Sequence, residues 1–338
     1  MTFDIFNPNY SVVAKGLEGK VITIYGGNNL GKTKQATRME KPFYLGFEKG
    51  IRAIAGIPFL PINKWSDFKQ INKQLTNPKT LDKAKEMYQT IIFDEVYTAS
   101  LYCQDFLCKK HGVETIGDGN NGYGLWKEYE SEFWVEIDKL LGAGYTLVFI
   151  SHEAEETIGE GKNKTVKKIP KGDKRSIKPI IDNSDIVVYL TSNGVDEDGR
   201  VIKSTGWLAE TDEFFARSRF DYIDTVIPEY TAESLAEAIA TAIERQEQSE
   251  GISAVSYEEQ KQSLSSAKVD FESIKKESLA LLTHLSEEGV DIDVLLDLVA
   301  KHLGAGVKLS EAKVNQLEVL ILLLDDLKEL EANLEEQE

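Results

Sequence analysis

An eight-residue stretch, Gly26–Thr33, has the residue types and spacing of a phosphate-binding loop. It has the sequence GGNNLGKT and fits the pattern G-x-x-x-x-G-K-[ST] at every fixed position. Its glycines allow a tight turn in which successive amide groups point at one anion, while Lys32 adds a positive charge for the β- and γ-phosphates. The Thr33 hydroxyl is a ligand for Mg²⁺. We therefore predict that ATP and Mg²⁺ bind here, through Gly26, Gly27, Asn28, Asn29, Leu30, Gly31, Lys32 and Thr33.

A buried strand downstream ends in an acidic residue. The apolar run Thr90–Phe93 is followed by Asp94 and Glu95. Ligands of open α/β sheets bind at the carboxyl ends of the strands, so Asp94 is placed to hold the magnesium with its water shell. We predict Thr33 and Asp94 as the metal-binding pair.

Hydrolysis also needs a group that orients or deprotonates the attacking water, and two carboxylates compete for that role. Glu48 ends the strand that follows the loop helix, whereas Glu95 directly follows Asp94. The sequence alone leaves both open. His152, at the end of the run Tyr145–Ser151, is placed to touch the γ-phosphate and report its loss.

The elements that would position these residues alternate between strands and helices up to about residue 230. Short apolar runs, without polar alternation, indicate strands covered on both faces: Val21–Tyr25, Phe43–Phe47, Thr90–Phe93, Tyr145–Ser151 and Asp185–Leu190. Helical patterns separate them: Thr33–Met39, Trp65–Leu75, Leu81–Met87, Val96–Lys110 and Leu125–Leu141. Val201–Ser204 and Trp207–Glu210 are typical of a late hairpin or edge pair. This order predicts an α/β fold with a mostly parallel central sheet.

The C-terminal third has a different character. Residues 231–338 hold 24 acidic against 9 basic residues and contain a leucine stripe, Leu317, Leu320, Ile321, Leu324, Leu327 and Leu330, at helical spacing. We predict a nucleotide-binding domain over residues 1–230, a helix and linker over 231–256, and an acidic all-α domain over 257–338. The stripe is typical of a helical core, and equally of a face that docks a protein partner or self-associates.

The bulk composition limits the class of protein. The chain is 41% hydrophobic and 28% charged, has a net charge of −18, and contains no apolar run long enough to cross a bilayer. Its two cysteines, Cys103 and Cys108, have no His/Cys cluster around them. We therefore expect neither a disulfide framework nor a zinc site, and a cytoplasmic protein without a membrane partner.

The order of these motifs resembles the RecA-like ATPase core. The resemblance covers about Gly19–Pro228 and is nearest to the phage-encoded AAA-type ATPases that include RecA-like single-strand annealing proteins. It implies that Glu48 is the catalytic glutamate and His152 the sensing residue. A glutamate directly after the metal-binding aspartate is the AAA+ pattern, so the likeness keeps Glu95 as the alternative.

The resemblance also extends to Arg217 and Arg219, which match a late basic pair that hexameric RecA-like motors such as DnaB insert into the neighbouring site. The first residue of that pair is usually Lys, whereas this chain has Arg. The likeness implies a trans-acting pair and hence a homo-oligomer, either a ring or a filament. It also implies that two loops, His111–Gly124 and Gly159–Arg175, contact single-stranded DNA.

The second loop is basic by its own composition. Seven cationic residues occur in its 17 positions, and such a loop can follow a phosphate backbone without sequence preference: Lys162, Lys164, Lys167, Lys168, Lys171, Lys174 and Arg175. The leading hypothesis is an ATPase that handles single-stranded DNA in phage recombination or replication. The alternatives are an AAA+ or helicase-like motor, and a nucleotide-gated binding module with a partner-docking tail.

Overall fold

A computed structural model describes residues 6, 8–48, 50–158, 164–264 and 270–335. The chain forms two compact units, one over Ser11–Lys261 and one that combines residues 1–10 with Gln262–Glu338. Within the described ranges, no helix is both long enough and apolar enough to cross a membrane.

The first unit is built on a central sheet with a parallel core. Its strands, in chain order, are β1 (Val21–Gly26), β2 (Pro42–Gly46), β3 (Thr90–Asp94), β4 (Thr146–Ile158), β5 (Thr165–Pro170), β6 (Ile186–Thr191), β7 (Thr205–Trp207), β8 (Arg217–Ser218) and β9 (Val226–Ile227). The spatial order is β2-β3-β4-β1-β6-β7-β9. The first five of these pair in parallel, and β7 and β9 add an antiparallel edge.

Helices cover both faces of the sheet, as the continuous apolar strands require. They are α1 (Lys32–Ala36), α2 (Trp65–Thr76), α3 (Leu81–Met87), α4 (Val96–His111), α5 (Trp126–Ala143), α6 (Lys174–Asn183) and α7 (Ala232–Glu250); α8 (Tyr257–Leu264) follows α7 in the chain. Successive strand residues alternate between two cores: Phe93 and Phe149 pack with α2, α4 and α5, whereas Ile92 and Val148 pack with α1 and α7. The predicted α/β fold of a P-loop nucleoside triphosphatase is confirmed.

Several element bounds differ from the predicted ones. Helix α1 is a turn shorter than predicted, because the chain turns at Thr37 and reaches Lys41, whose φ is 42°, before Pro42. Strand β4 continues to Ile158 because its second half pairs with β5. The predicted hairpin of 201–204 with 207–210 is wrong: the single strand β7 pairs with both β6 and β9 instead. Helix α6 was not predicted.

The α/β unit extends beyond the predicted boundary at residue 230. Helix α7 begins with a reciprocal cap between Thr231 and Ser234, and its residues Leu235, Ile239 and Ile243 are buried against the sheet. Because these side chains fill the core under β1 and β6, α7 belongs to the nucleotide-binding unit.

The second unit is a small helical assembly. Its helices α9 (Phe271–Glu287), α10 (Ile292–Leu303) and α11 (Leu317–Glu335) surround a core of leucine side chains. The predicted leucine stripe supplies Leu320, Leu324 and Leu327 to that core, and Leu317, Ile321 and Leu330 pack partly buried against it. The stripe therefore packs within the unit.

Candidate active site

The glycine-rich loop joins β1 to α1 through backbone angles that favour glycine. Gly26 and Gly31 have φ of 148° and 81°, and a Cβ at Gly26 would lie 2.7 Å from the Leu190 carbonyl oxygen. Lys32 is buried, and its Nζ donates to the carbonyl oxygens of Gly26 at 2.9 Å and Gly27 at 2.6 Å. Burial lowers the pKa of Lys32, while nearby carboxylates, Asp94 first, oppose that shift. A phosphate group in the loop would give the ammonium an anionic partner.

The predicted metal ligands meet at the end of β3. The Thr33 hydroxyl donates to Asp94 Oδ2 at 2.6 Å, and the Tyr44 hydroxyl donates to the same oxygen at 3.1 Å. Asp94 is buried, and burial raises its pKa, although both hydroxyl donors oppose the shift. An adjacent hydroxyl and carboxylate are hard oxygen ligands of the kind Mg²⁺ prefers, so these residues fit that ion. Tyr44 was missed because it lies within an apolar strand and resembles a core aromatic residue.

The two competing carboxylates have different surroundings. Glu95 is 1% exposed and caps α4: its carboxylate accepts from the Thr98 amide at 2.9 Å and the Thr98 hydroxyl at 2.7 Å. Glu48 keeps 39% of its side chain exposed and lies 3.4 Å from His152 Nε2. Ligand atoms of Glu48, Glu95 and His152 lie within 4.8 Å of one another. Glu48 therefore faces the open space, whereas Glu95 is engaged by the helix behind it.

These groups surround one cleft. Its volume is about 900 Å³, and it is lined by the loop residues Asn28–Thr33 together with Glu48, Asp94 and His152. Sheet order explains the convergence, because β4 lies between β1 and β3 and brings His152 between the glycine loop and Asp94. The cleft lining also includes the apolar residues Ile54 and Ile57.

Comparison with known proteins agrees with this geometry. The family model described as AAA domain matches residues 18–220. The chain belongs to the AAA-domain family. It is also 60% identical, over 98% of its length and 99% of the relative's, to an SPbeta prophage-derived uncharacterized protein, YorG, of Bacillus subtilis strain 168. The chain therefore carries an AAA domain, which suggests a nucleotide-binding ATPase, and it is related to a prophage-derived protein; the matched range includes the cleft.

The two late arginines of the AAA domain lie away from its own cleft. Strand β8 pairs with Ile186 and Val187, at the start of β6, whereas the glycine loop adjoins Leu190. Arg217 donates to the carbonyl oxygens of Asp182 at 3.0 Å and Ser184 at 2.9 Å, at the end of α6. Arg219 donates to the Asp182 carbonyl oxygen at 2.7 Å and lies 3.5 Å from Asp185. The structure therefore places this pair at the other end of β6 from the glycine loop of the same chain.

Part of the predicted basic loop is a hairpin in which two of the lysines, Lys167 and Lys168, are paired with glutamates. Strand β5 aligns Lys167 and Lys168 with Glu156 and Glu155 of β4. Lys168 Nζ lies 2.7 Å from Glu155 and 3.7 Å from Glu153, and Lys167 forms an ion pair with Glu210. Lys162 lies outside the described residues. The predicted loop included the lysines of β5 but not the glutamates of β4 that face them. Its composition therefore overstated the positive charge of this segment.

Two further cations of that segment lie beside aromatic rings. Lys171 Nζ is 4.4 Å from the centroid of the Tyr97 ring, and the Arg175 guanidinium is 4.8 Å from that of the Trp126 ring. Trp126 is 38% exposed. The structure thus places Trp126, which follows the first predicted loop, beside Arg175, the last residue of the second. Lys164 and Lys174 are exposed.

Proposed function

We propose that this AAA-domain protein hydrolyses ATP in the cleft between the glycine loop and Glu48, and couples hydrolysis to single-stranded DNA as a RecA-like oligomer. The observation that carries the ATPase half is the convergence of Lys32, the Thr33–Asp94 pair and the exposed Glu48 on one cleft. The loop amides and Lys32 would bind the triphosphate, and Thr33 and Asp94 would hold Mg²⁺. The ion would supply charge neutralisation at the β- and γ-phosphates.

In the proposed reaction, Glu48 orients a water molecule and accepts its proton. The water oxygen bonds to the γ-phosphorus while the bond from that phosphorus to the β–γ bridging oxygen breaks, giving ADP and phosphate. His152, 3.4 Å from Glu48, is placed to hold the carboxylate and to respond when the γ-phosphate leaves. Glu95 would act through structure, by fixing the start of α4 behind the site.

The DNA half of the proposal is supported by the cation–aromatic surface at the start of α6. Lys171, Lys174 and Arg175 supply positive charge, and Trp126 and Tyr123 supply exposed rings, Tyr123 with 84% exposure. Single-strand binding combines such charge with stacking of bases on aromatic side chains, and it needs little sequence preference. We place the contact here and not at Lys167 and Lys168, which already form ion pairs with Glu210 and Glu155.

Oligomerisation enters through the arginines. Arg219 keeps 53% of its side chain exposed, whereas Arg217 is held by two carbonyl oxygens. We therefore propose that Arg219 reaches the γ-phosphate bound by a neighbouring copy. An arginine supplied in this way stabilises the negative charge on the phosphoryl group during its transfer. Strand handling in annealing or recombination is the activity that such an assembly would serve.

The test is an ATPase assay with and without a single-stranded oligonucleotide, accompanied by nucleotide-dependent sizing. Wild type should hydrolyse ATP, be stimulated by the oligonucleotide and assemble with both ligands. Lys32→Ala should lose hydrolysis, and Arg175→Ala with Trp126→Ala should lose the stimulation alone. Lys109→Ala, an exposed lysine paired with Asp105, is the matched control. Turnover indifferent to DNA in wild type would remove the DNA half of the proposal.

A further inference from the structure

Glu153 occupies the point where β4 changes its pairing partner. The preceding residue, His152, is aligned with Gly26 of β1, and Glu153 itself is aligned with Pro170 of β5. One strand therefore carries a group of the cleft and, at the next position, the base of the hairpin formed by β4 and β5. A single peptide unit therefore separates His152, in the cleft, from Glu153, at the base of the hairpin.

The Glu153 carboxylate lies between the two sides of this junction. A Cβ placed on Gly27, in the glycine loop, would lie 3.9 Å from Glu153 Oε1. On the other side Lys168 Nζ, which is 2.7 Å from Glu155 Oε1, lies 3.7 Å from Glu153 Oε1, and the Tyr189 hydroxyl donates to Glu153 Oε2 at 3.0 Å. Glu153 is thus an anion beside the loop that would hold the triphosphate, with its counter-ion on β5.

Hydrogen bonds that involve the main chain of the hairpin also join it to β1 and β4. The Tyr25 hydroxyl, directly before the glycine loop, donates to the Lys168 carbonyl oxygen at 3.1 Å. The Lys171 amide donates to the His152 carbonyl oxygen at 2.8 Å, and the Ser151 hydroxyl donates to the Lys171 carbonyl oxygen at 2.8 Å. These contacts hold the base of the hairpin, so a change at Lys168 is transmitted to the rest of β5.

We propose that the Glu153–Lys168 ion pair is a positioning element that responds to the charge of the γ-phosphate and sets the conformation of the β4–β5 hairpin. This inference rests on the proposed binding of ATP in the cleft. The γ-phosphate adds negative charge near Glu153. Because like charges repel, bound ATP disfavours the position of the Glu153 carboxylate beside the loop. Lys168 is then drawn towards the phosphate, and β5 follows it. ADP lacks that charge and leaves the pair in place.

The two partners make opposite predictions, which a merely structural pair would not. Glu153→Gln removes the repelling charge while keeping an oxygen for Tyr189, so affinity for ATP relative to ADP should rise about fivefold. Lys168→Met removes the attracting charge and leaves Glu153 uncompensated, so the same ratio should fall. The double variant should return near the wild-type ratio, because it removes one negative and one positive charge and the two opposite shifts offset each other.

The experiment measures the affinities of the magnesium complexes of ADP and of a non-hydrolysable ATP analogue by calorimetry. Hydrogen exchange of the amides in both hairpin strands is followed in each state. We expect an analogue-dependent change in exchange in wild type and its loss in Glu153→Gln. Glu156→Gln and Lys164→Met, further along the same hairpin, are the matched controls and should behave as wild type.

An unchanged affinity ratio in Glu153→Gln, or an equal shift in the Glu156→Gln control, would overturn the inference while leaving nucleotide binding intact. Failure of the proposed function has a different signature. In that case wild type would bind neither nucleotide, or Lys32→Ala would bind both as tightly as wild type does.

Discussion

Replacing each of the two carboxylates by its amide separates their roles. Glu48→Gln removes the proton acceptor that we assign to the attacking water, and positioned general bases contribute about 10²- to 10⁴-fold to a rate. The corresponding rise in the activation barrier is about 3–5 kcal/mol. Because the Glu48 side chain is 39% exposed and bonds weakly to its surroundings, the folded state should lose little stability.

Glu95→Gln should have the reverse profile. Its carboxylate caps α4 by accepting from the amides of Thr98 and Tyr97 and from the Thr98 hydroxyl. Loss of a good N-cap costs about 1–2 kcal/mol, to which loss of a negative charge at a helix N-terminus adds a few tenths. For a unit of this size we expect the melting temperature to fall by about 5 °C. Hydrolysis should fall less than about tenfold, as an indirect effect on the cleft.

The assay combines single-turnover hydrolysis, the dissociation constant for magnesium–ATP, and thermal unfolding of nucleotide-free protein. Glu114→Gln, an exposed glutamate shortly after α4, controls for the change in net charge. The reasoning is refuted if Glu95→Gln abolishes the chemical step with normal ATP affinity while Glu48→Gln stays active. That result would assign the water to Glu95 and favour an AAA+ type of motor.

Three further perturbations test the structure. Burial raises the pKa of Asp94, so the ionised carboxylate destabilises the folded state and the free energy of unfolding falls as pH rises. Asp94→Asn should therefore raise the melting temperature at pH 7 by about 2 °C, with a smaller gain near pH 4. The exposed Asp212→Asn should give no gain. Gly144→Ala should cost about 2 kcal/mol, because φ is 76° and the new Cβ would meet the Tyr257 hydroxyl at 2.3 Å, and Tyr257→Phe should recover part of the loss in a denaturant titration. Leu324→Ala in the helical unit should lower its unfolding free energy by about 2–5 kcal/mol while calorimetry shows unchanged ATP affinity.

The strands around the cleft were predictable because their signal is local. The run Val21–Tyr25 is apolar at four of its five positions, without polar alternation, and such a short run between turn signals is typical of a strand buried on both faces. Strand β4 shows the limit of that reasoning. Its first half is apolar, but its second half, from Glu153 onwards, is stabilised by pairing with β5. The register of that pairing cannot be predicted from either segment alone.

The sequence by itself determined the phosphate chemistry of this protein. Eight contiguous residues, Gly26–Thr33, carry the whole loop, so no distant part of the chain is needed to recognise it. Only the tertiary structure decided which carboxylate faces the cleft and which lysines keep their charge unpaired. Glu48, Glu95 and Lys168 acquire their surroundings from strand order, helix capping and antiparallel register, which bring together residues up to about a hundred positions apart in the chain.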